Sequence, residues 1–548
     1  MTATAPPGPP TGRAARSGIT TVLPGLLLVI FLASLDQLIV STAIRTIGDD
    51  LHGLSSLAWA TTAYLITSTI STPVYGKLSD LFGRKRLLLT AVGIFTLGSA
   101  LCGLATSMPM LAAFRALQGL GGGGMLALVV AVIGDLVSPR ERGRYQGYTM
   151  SAMTLGSVLG PVLGGLLAGQ GTILGIAGWR WIFWINVPVG LVALIVLRRV
   201  LRLTTTRRDR HIDWWGAALL ALGLTPLLLI AEQGAAWGWA SGRAIGCYAV
   251  AALGLAGLVT VSARKGADAL IPLRLFRTNN FTVSIIGTFV LGLAQFGGLG
   301  VLPLYLQLAK GASPAKAGLL ILPIALGQTA ASFAAGRFTA RTGRYKSLAI
   351  AGTALLGCGL FAMASVSADT SLWITGGYMF AFGAGAGLAG NALMTALTNS
   401  LPPADMGAGT SSLSLFRGLG GTTGAALLLA LLFAQAGPAI AERYEAAGSS
   451  PAFQHAAAQH PHDLTEVRHP DLNDTAFLAH LDPALARPFL DGFVHALDQV
   501  MLTAGGIVAL AFLILLGLQQ VSLRTEPPAS RAGRDLGEAA RRGQGGGV

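Results

Sequence analysis

Asp36 is the residue whose type and setting point most directly to chemistry. It lies in the run Leu35-Asp36-Gln37-Leu38-Ile39-Val40. A carboxylate inside such a run costs about 2.5–3.5 kcal/mol to place in a bilayer on insertion scales. It must be paired, face a wet cavity, or carry a proton. Burial disfavours the charged form of a carboxyl, and a group that gives up and regains a proton is what proton coupling needs. Arg115, in the run Ala113-Phe114-Arg115-Ala116-Leu117, is the matching cation. It either holds a carboxylate or backbone carbonyls in place, or tunes Asp36 directly or through water. Glu232 is read as the only other acid close to a span interior, and Trp237 and Trp239 beside it mark it as interfacial. Arg417 lies about ten residues into its span and either snorkels or lines a cavity.

The other candidate groups are softer. In the first half they are Tyr64 and Gln118. In the second they are Gln295, Phe296, Gln328, Asn391 and Met394, with Arg417. An apolar lining with few acids suits hydrophobic cargo, neutral or singly cationic. Divalent ions would want a second buried acid, and no metal site is expected. Gly156, Gly160 and Gly164 are spaced by four and share one helix face, which lets another backbone come close. Pro161 frees a carbonyl and can bend that helix, and Gly165 closes the run.

These residues need apolar helices to position them. Hydrophobic residues make up 52% and charged residues 11%, against roughly 25% charged in a soluble domain. The chain therefore belongs in a membrane, and its 548 residues are not several soluble domains. The net charge of +14 sits in short loops and not on one amphipathic face, which argues against a nucleic-acid partner. Fourteen stretches have the length of a bilayer crossing, about 20 residues. They lie near 23–44, 58–78, 87–106, 110–133, 147–169, 181–203, 214–232, 243–263, 281–307, 315–335, 347–366, 371–397, 407–435 and 496–520. Cys102, Cys247 and Cys358 fall inside such stretches and read as core-filling thiols.

Lys and Arg give the orientation. With both termini in the cytoplasm, 28 basic residues fall inside and 8 outside, a strong positive-inside bias. Single cysteines in a cysteine-free background test this. Of Lys85→Cys, Arg208→Cys and His460→Cys, only the last should react with an impermeant thiol reagent on intact cells. Labelling of Arg208→Cys from outside would sink the count of fourteen.

The chain also repeats itself. The basic turn Gly76-Lys77-Leu78-Ser79-Asp80-Leu81-Phe82-Gly83-Arg84-Lys85-Arg86 returns in degenerate form at Gly336-Arg337-Phe338-Thr339-Ala340-Arg341-Thr342-Gly343-Arg344-Tyr345-Lys346. Gly143, Gly156 and Gly160 have counterparts 264 residues later at Gly407, Gly420 and Gly424. Helices 1–6 thus match helices 9–14, with helices 7–8 inserted. Two such bundles, with cargo held between them near the midplane, are a transporter architecture. The expected domains are a disordered tail 1–20, a bundle 21–205, the inserted pair 206–265, a bundle 266–522 and a disordered tail 523–548. The second bundle includes a polar outer loop, 437–494, holding His455, His460, His462, His469 and His480, with His495 beyond.

Four motifs resemble the major facilitator superfamily, specifically its fourteen-helix drug:proton antiporter branch. They are the turn 76–86, Arg115-Ala116-Leu117-Gln118-Gly119-Leu120-Gly121, Gly156-Ser157-Val158-Leu159-Gly160-Pro161-Val162-Leu163-Gly164-Gly165, and Leu35-Asp36-Gln37-Leu38-Ile39-Val40-Ser41-Thr42-Ala43-Ile44. Smaller matches are Trp179-Arg180-Trp181-Ile182-Phe183-Trp184-Ile185-Asn186-Val187-Pro188 and Tyr305-Leu306-Gln307. The sequence departs from the branch at Leu38, Arg45, Leu81 and Ala340. The resemblance implies an all-helical integral membrane fold, a transporter and not an enzyme. It implies a part for Arg115 in proton transfer and a helix-5 bend that shapes the cavity and limits leak. The turn 76–86 is expected to gate. Asp80 would accept from Arg84 and face the N-terminus of helix 13, while Arg84, Lys85 and Arg86 also set topology.

The resulting expectation is a proton-coupled antiporter of the plasma membrane. It would export drugs, antibiotics or toxic metabolites by alternating access, functional as a monomer among membrane lipids. The alternative is a lipid or lipid-precursor translocator on the same fold. No nucleotide-binding loop is present, so the proton gradient, and no cofactor, is the expected drive.

Overall fold

The computed structural model describes residues 12–51, 57–137, 139–201, 213–312, 314–367, 369–402, 405–459 and 481–523. In lipid each backbone polar group must be satisfied within its own segment, so apolar runs become helices. Among the described residues fourteen long helices result. The first six are α1 (Gly12–Asp50), α2 (Leu57–Phe82), α3 (Arg84–Cys102), α4 (Met108–Leu136), α5 (Pro139–Ala168) and α6 (Asn186–Val200). Then come α7 (Trp214–Trp237) and α8 (Gly242–Lys265). The last six are α9 (Asn279–Leu308), α10 (Leu322–Thr342), α11 (Lys346–Met363), α12 (Leu372–Ser400), α13 (Met406–Ala447) and α14 (Pro483–Leu516). A two-residue hairpin, Thr172–Ile173 with Ile176–Ala177, lies between α5 and α6.

Among the described residues, 13 helices are long and apolar enough to cross a membrane. The remaining long helix is α2, whose Ser and Thr residues lower its hydropathy. Those hydroxyls bond back to their own helix: Thr67 Oγ1 to Ala63 O at 2.9 Å, Ser68 Oγ to Leu65 O at 3.0 Å, Thr72 Oγ1 to Ser68 O at 2.7 Å. Local back-bonding hides such groups from lipid, and the 26 residues of α2 suffice in length. The fold is thus compatible with fourteen crossings.

Three boundaries differ from expectation. The tail expected over 1–20 is already helical from Gly12. Within the polar stretch 437–494 the described residues are largely helical: α13 continues to Ala447, Pro451–Gln459 is helical, and α14 starts at Pro483. A polar face does not stop a helix that can pack its other face on a neighbour. His460, His462, His469 and His480 lie outside the described residues, as do 1–11 and 524–548.

The two halves repeat one packing scheme. In the first, α5 lies along α1. The site where a Gly156 Cβ would stand is 2.7 Å from Phe31 O and 2.9 Å from Leu35 N. In the second, α13 lies along α9, with Gly420 against Phe289 O and Gly424 against Leu293 O. Any side chain there would force the helices apart. Each half has its own apolar core.

The inserted pair, α7 and α8, packs mainly on itself, with Gly254 against the backbone of Gly223. Asp213 anchors it. Its buried carboxylate caps α7 by accepting from Gly216 N at 2.9 Å, and takes further bonds from Leu270 N at 3.1 Å and Lys265 Nζ at 2.7 Å. Burial alone would raise this carboxyl, but Lys265 and the two N–H donors outweigh it and hold it below the usual range.

Candidate functional site

Asp36 is fully buried in α1 and its carboxylate is met by two other helices, α4 and α6. Arg115 Nη1 of α4 lies 2.8 Å from Oδ2. Gln118 Nε2, one turn further on α4, and Asn186 Nδ2 at the start of α6 each donate to Oδ1 at 2.8 Å. Arg115 Nη1 also donates to Gln118 Oε1 at 2.7 Å, and its Nε to Ala60 O at 3.2 Å. The Tyr64 ring stacks under the guanidinium, 4.3 Å from its centroid. Asn186 Nδ2 is shared with Ser99 Oγ at 3.0 Å, and Ser99 in turn donates to Phe183 O at 2.9 Å. The result is a dry, charge-matched network, in which an ion pair is stabilised only by good geometry and further hydrogen bonds. Among the described residues Asn186 Oδ1 is buried without a partner. It is an acceptor beside Asp36 that an O–H could use.

Arg115 and Asp36 are thus brought together, and Tyr64 and Gln118 belong to their network and not to a separate cavity. Sequence reasoning missed Asn186 and Ser99. Asn186 stood inside the quoted aromatic motif, and its setting between Ile185 and Val187 was the available signal. The same motif clamps one end of the first half. Arg180 Nη1 donates to Gly103 O at 2.9 Å and Ala105 O at 2.7 Å, and Trp179 Nε1 to Asp50 Oδ2 at 2.9 Å.

The turn 76–86 lies at the opposite, basic end. Gly83 has φ 93°, which glycine alone adopts freely, and reverses the chain in one residue between α2 and α3. Asp80 Oδ1 and Oδ2 accept from Gly407 N and Ala408 N, both at 3.2 Å, at the N-terminus of α13. Buried Arg84 bridges Asp80 Oδ1 at 2.6 Å and Asp135 Oδ2 at 2.9 Å and also bonds Ser79 Oγ. Lys85 Nζ donates to Arg198 O at 2.8 Å, and Arg86 is exposed. Gly76 permits the contact: a Cβ there would stand 2.7 Å from Gly407 O and collide with Ser411 Oγ. The second seam between the halves runs along α5 and α10. Thr154 Oγ1 is 2.9 Å from Thr329 Oγ1, and the Tyr148 and Phe333 rings meet edge-on at 5.1 Å. Both seams shut the basic end. The degenerate turn differs: Tyr345 OH accepts from Val521 N at 2.9 Å and donates to Gln519 O at 2.8 Å, tying the segment after α14.

The remaining candidates disperse. Gln295 is buried in α9, while Phe296 is 41% exposed with its ring against Gly421 of α13. Gln328 presents its backbone carbonyl to Gly387 of α12. Asn391 Nδ2 donates to Ser332 O at 3.2 Å, linking α12 to α10. Met394 packs in a cluster with Phe276 and Phe416. Gly160 and Gly164 are buried with Gly156, whereas Gly165 points into open space. Helix α5 runs unbroken through position 161. The side chains of Pro161, Leu38, Arg45 and Glu232 lie outside the described residues.

One expectation is corrected. Glu232 is not the only further acid within a span: Asp498 sits in α14, with Oδ1 buried and, among the described residues, without a hydrogen-bond partner. The helix, drawn from 496 in the sequence, starts 13 residues earlier at Pro483, so Asp498 is well inside it.

Residues 26–425 match the family model described as Major Facilitator Superfamily. The chain belongs to the major facilitator superfamily. It is 34% identical over 426 residues to the multidrug transporter protein MdtP of Bacillus subtilis, covering 77% of each chain. It is 33% identical over 422 residues to multidrug resistance protein 3 of the same organism, covering 76% of this chain and 80% of that one. Among solved structures, the proton:xylose symporter XylE aligns over 91% of this chain and 96% of its own with a TM-score of 0.57 at 17% identity, a likeness of fold. As a major facilitator protein the chain is a membrane transporter of small molecules, not an enzyme.

Proposed function

We propose that this protein exports hydrophobic small molecules across the cell membrane in exchange for protons, with both termini and the basic end in the cytoplasm. The observation that carries this reading is Asp36, a fully buried carboxylate matched by one cation and adjustable amides. Protonation removes the charge that holds Arg115. The new O–H has an acceptor at hand if the Asn186 amide turns to present its free Oδ1. A change of one charge then alters the attachment of α1 to α4 and α6 together. That is a local event able to bias a two-state bundle.

The cytoplasmic seal is the other half of the cycle. Asp80 on the N-terminus of α13 places an anion where the helix dipole favours it. With the basic end sealed, loosening of the buried Asp36 network toward the outer side admits a proton. Opening the seal lets cargo enter and the proton leave. Resemblance to two proteins named for multidrug transport and multidrug resistance supports outward drug movement.

The test is dye accumulation in an exporter-deficient host, using a neutral, a cationic and an anionic amphiphile. Expression should lower the accumulation of at least one dye, and a protonophore should restore it. Lowered accumulation that survives the protonophore would remove proton coupling. Unchanged accumulation of all three would remove export.

A further inference from the structure

Arg417 is the charge that the Asp36 and Asp80 networks leave over. It stands in α13, ten residues past Gly407. At 1.5 Å per residue that is about 15 Å from the sealed end, near the middle of an apolar layer about 30 Å thick. Among the described residues its half-buried guanidinium has no hydrogen-bond or ion-pair partner. A bare cation at that depth is costly, and such residues face the bundle interior or a wet path.

Its neighbours define the direction it faces. Gly420 and Gly424 press on α9 of the same half, and Gly407 and Gly76 bring α13 against α2 of the other half. At about 100° per residue, Arg417 lies in the sector between those two contacts. That sector opens on the seam between the halves. The opposite face carries Leu415 and Leu419, packed with Leu220 and Leu224 of the inserted pair. Gly421, one turn beyond Arg417 in the same sector, is covered by the Phe296 ring, with a would-be Cβ 2.8 Å from it. Arg417 and the Phe296 ring, which stays partly exposed, therefore lie in one sector about a helical turn apart.

The charges do not balance there. Asp36 is matched by Arg115, and Asp80 and Asp135 by Arg84; among the described residues no carboxylate pairs with Arg417, Asp498 of α14 included. We infer that Arg417 recognises cargo bearing a single carboxylate on an apolar body, an amphipathic organic anion, with Phe296 beside it for that body. A guanidinium suits a carboxylate by its paired donors. This rests on the export reading and differs from the expectation of neutral or cationic cargo.

The test uses matched probes, pyrenebutyrate and pyrenebutanol, titrated calorimetrically into purified protein in phosphatidylcholine nanodiscs, with empty discs as baseline. Wild type should bind pyrenebutyrate roughly tenfold more tightly than the alcohol, one good charge-assisted contact. Arg417→Gln should erase that preference and leave pyrenebutanol binding unchanged, which also reports its folding. Arg417→Lys should keep part of the preference. Equal binding of the two probes by wild type overturns the inference without any variant. So does a preference that survives in Arg417→Gln. Displacement of pyrenebutyrate by phosphatidylglycerol added to the discs would assign the cation to a lipid headgroup and overturn the cargo assignment. Proton-driven export of a neutral dye with no anion preference would leave the export reading standing and remove this one.

Discussion

Asp36→Asn is expected to lower cargo transport driven by an imposed pH gradient in proteoliposomes by roughly 100-fold, the scale of losing an essential proton-transfer group. Asn keeps the shape and can still accept from Arg115, but it has no proton to release. The buried pair adds a second effect. Arg115 then stands without a counter-charge, and breaking a buried pair by removing one partner costs about 3–5 kcal/mol. The retained amide acceptor puts the variant at the low end of that range. Asp36→Asn with Arg115→Gln should recover most of the thermal stability, because two neutral amides can bond each other, yet remain unable to couple. Asp36→Glu should keep partial transport, since the titratable group survives one methylene displaced. Undiminished coupled transport by Asp36→Asn would remove Asp36 from the mechanism. Suspicion would then move to Asp498, a carboxyl inside α14 whose Oδ1 is buried without a hydrogen-bond partner among the described residues.

Gly76→Val should have an effect of similar size by a different route. A Cβ at position 76 would lie 2.7 Å from Gly407 O and meet Ser411 Oγ. The serine can rotate, but the carbonyl belongs to the first turn of α13 and cannot yield without moving the helix. Valine adds two methyl groups to that clash. The two helices must part, and Asp80 then loses the Gly407 and Ala408 donors. The seal should fail while each six-helix half keeps its own core. Ser412, fully buried beside the seal, reports this as Ser412→Cys. Alkylation from the cytoplasmic side should be slow in the parent and roughly tenfold faster with Gly76→Val, a shift of populations toward the open state. Transport should fall to near background. Equal alkylation rates and intact transport would show that closure does not need the close approach of α2 and α13.

The sequence by itself determined the apolar spans, the repeat, the presence of unlike charges within those spans and the resemblance to the family. The physical reason is the bilayer. It demands long apolar runs and makes each ionisable residue within them costly, so Asp36 and Arg115 stand out without coordinates. The turn 76–86 was legible for the same reason, since Gly and paired basic residues break an otherwise apolar run. The tertiary structure alone decided who meets whom. Asn186 and Ser99 join Asp36 only because α6 and α3 cross α1 at that depth. Gln118 serves Asp36 because it lies one turn from Arg115 on the face turned to α1. Asp498 was hidden by a helix start placed 13 residues too late, where polar residues masked a helix that packs its other face. The softer cavity candidates scattered, Met394 into packing and Asn391 into a helix–helix bond. Helix rotation and crossing set such contacts, and they depend on how all fourteen helices fit together, which no local run of residues encodes.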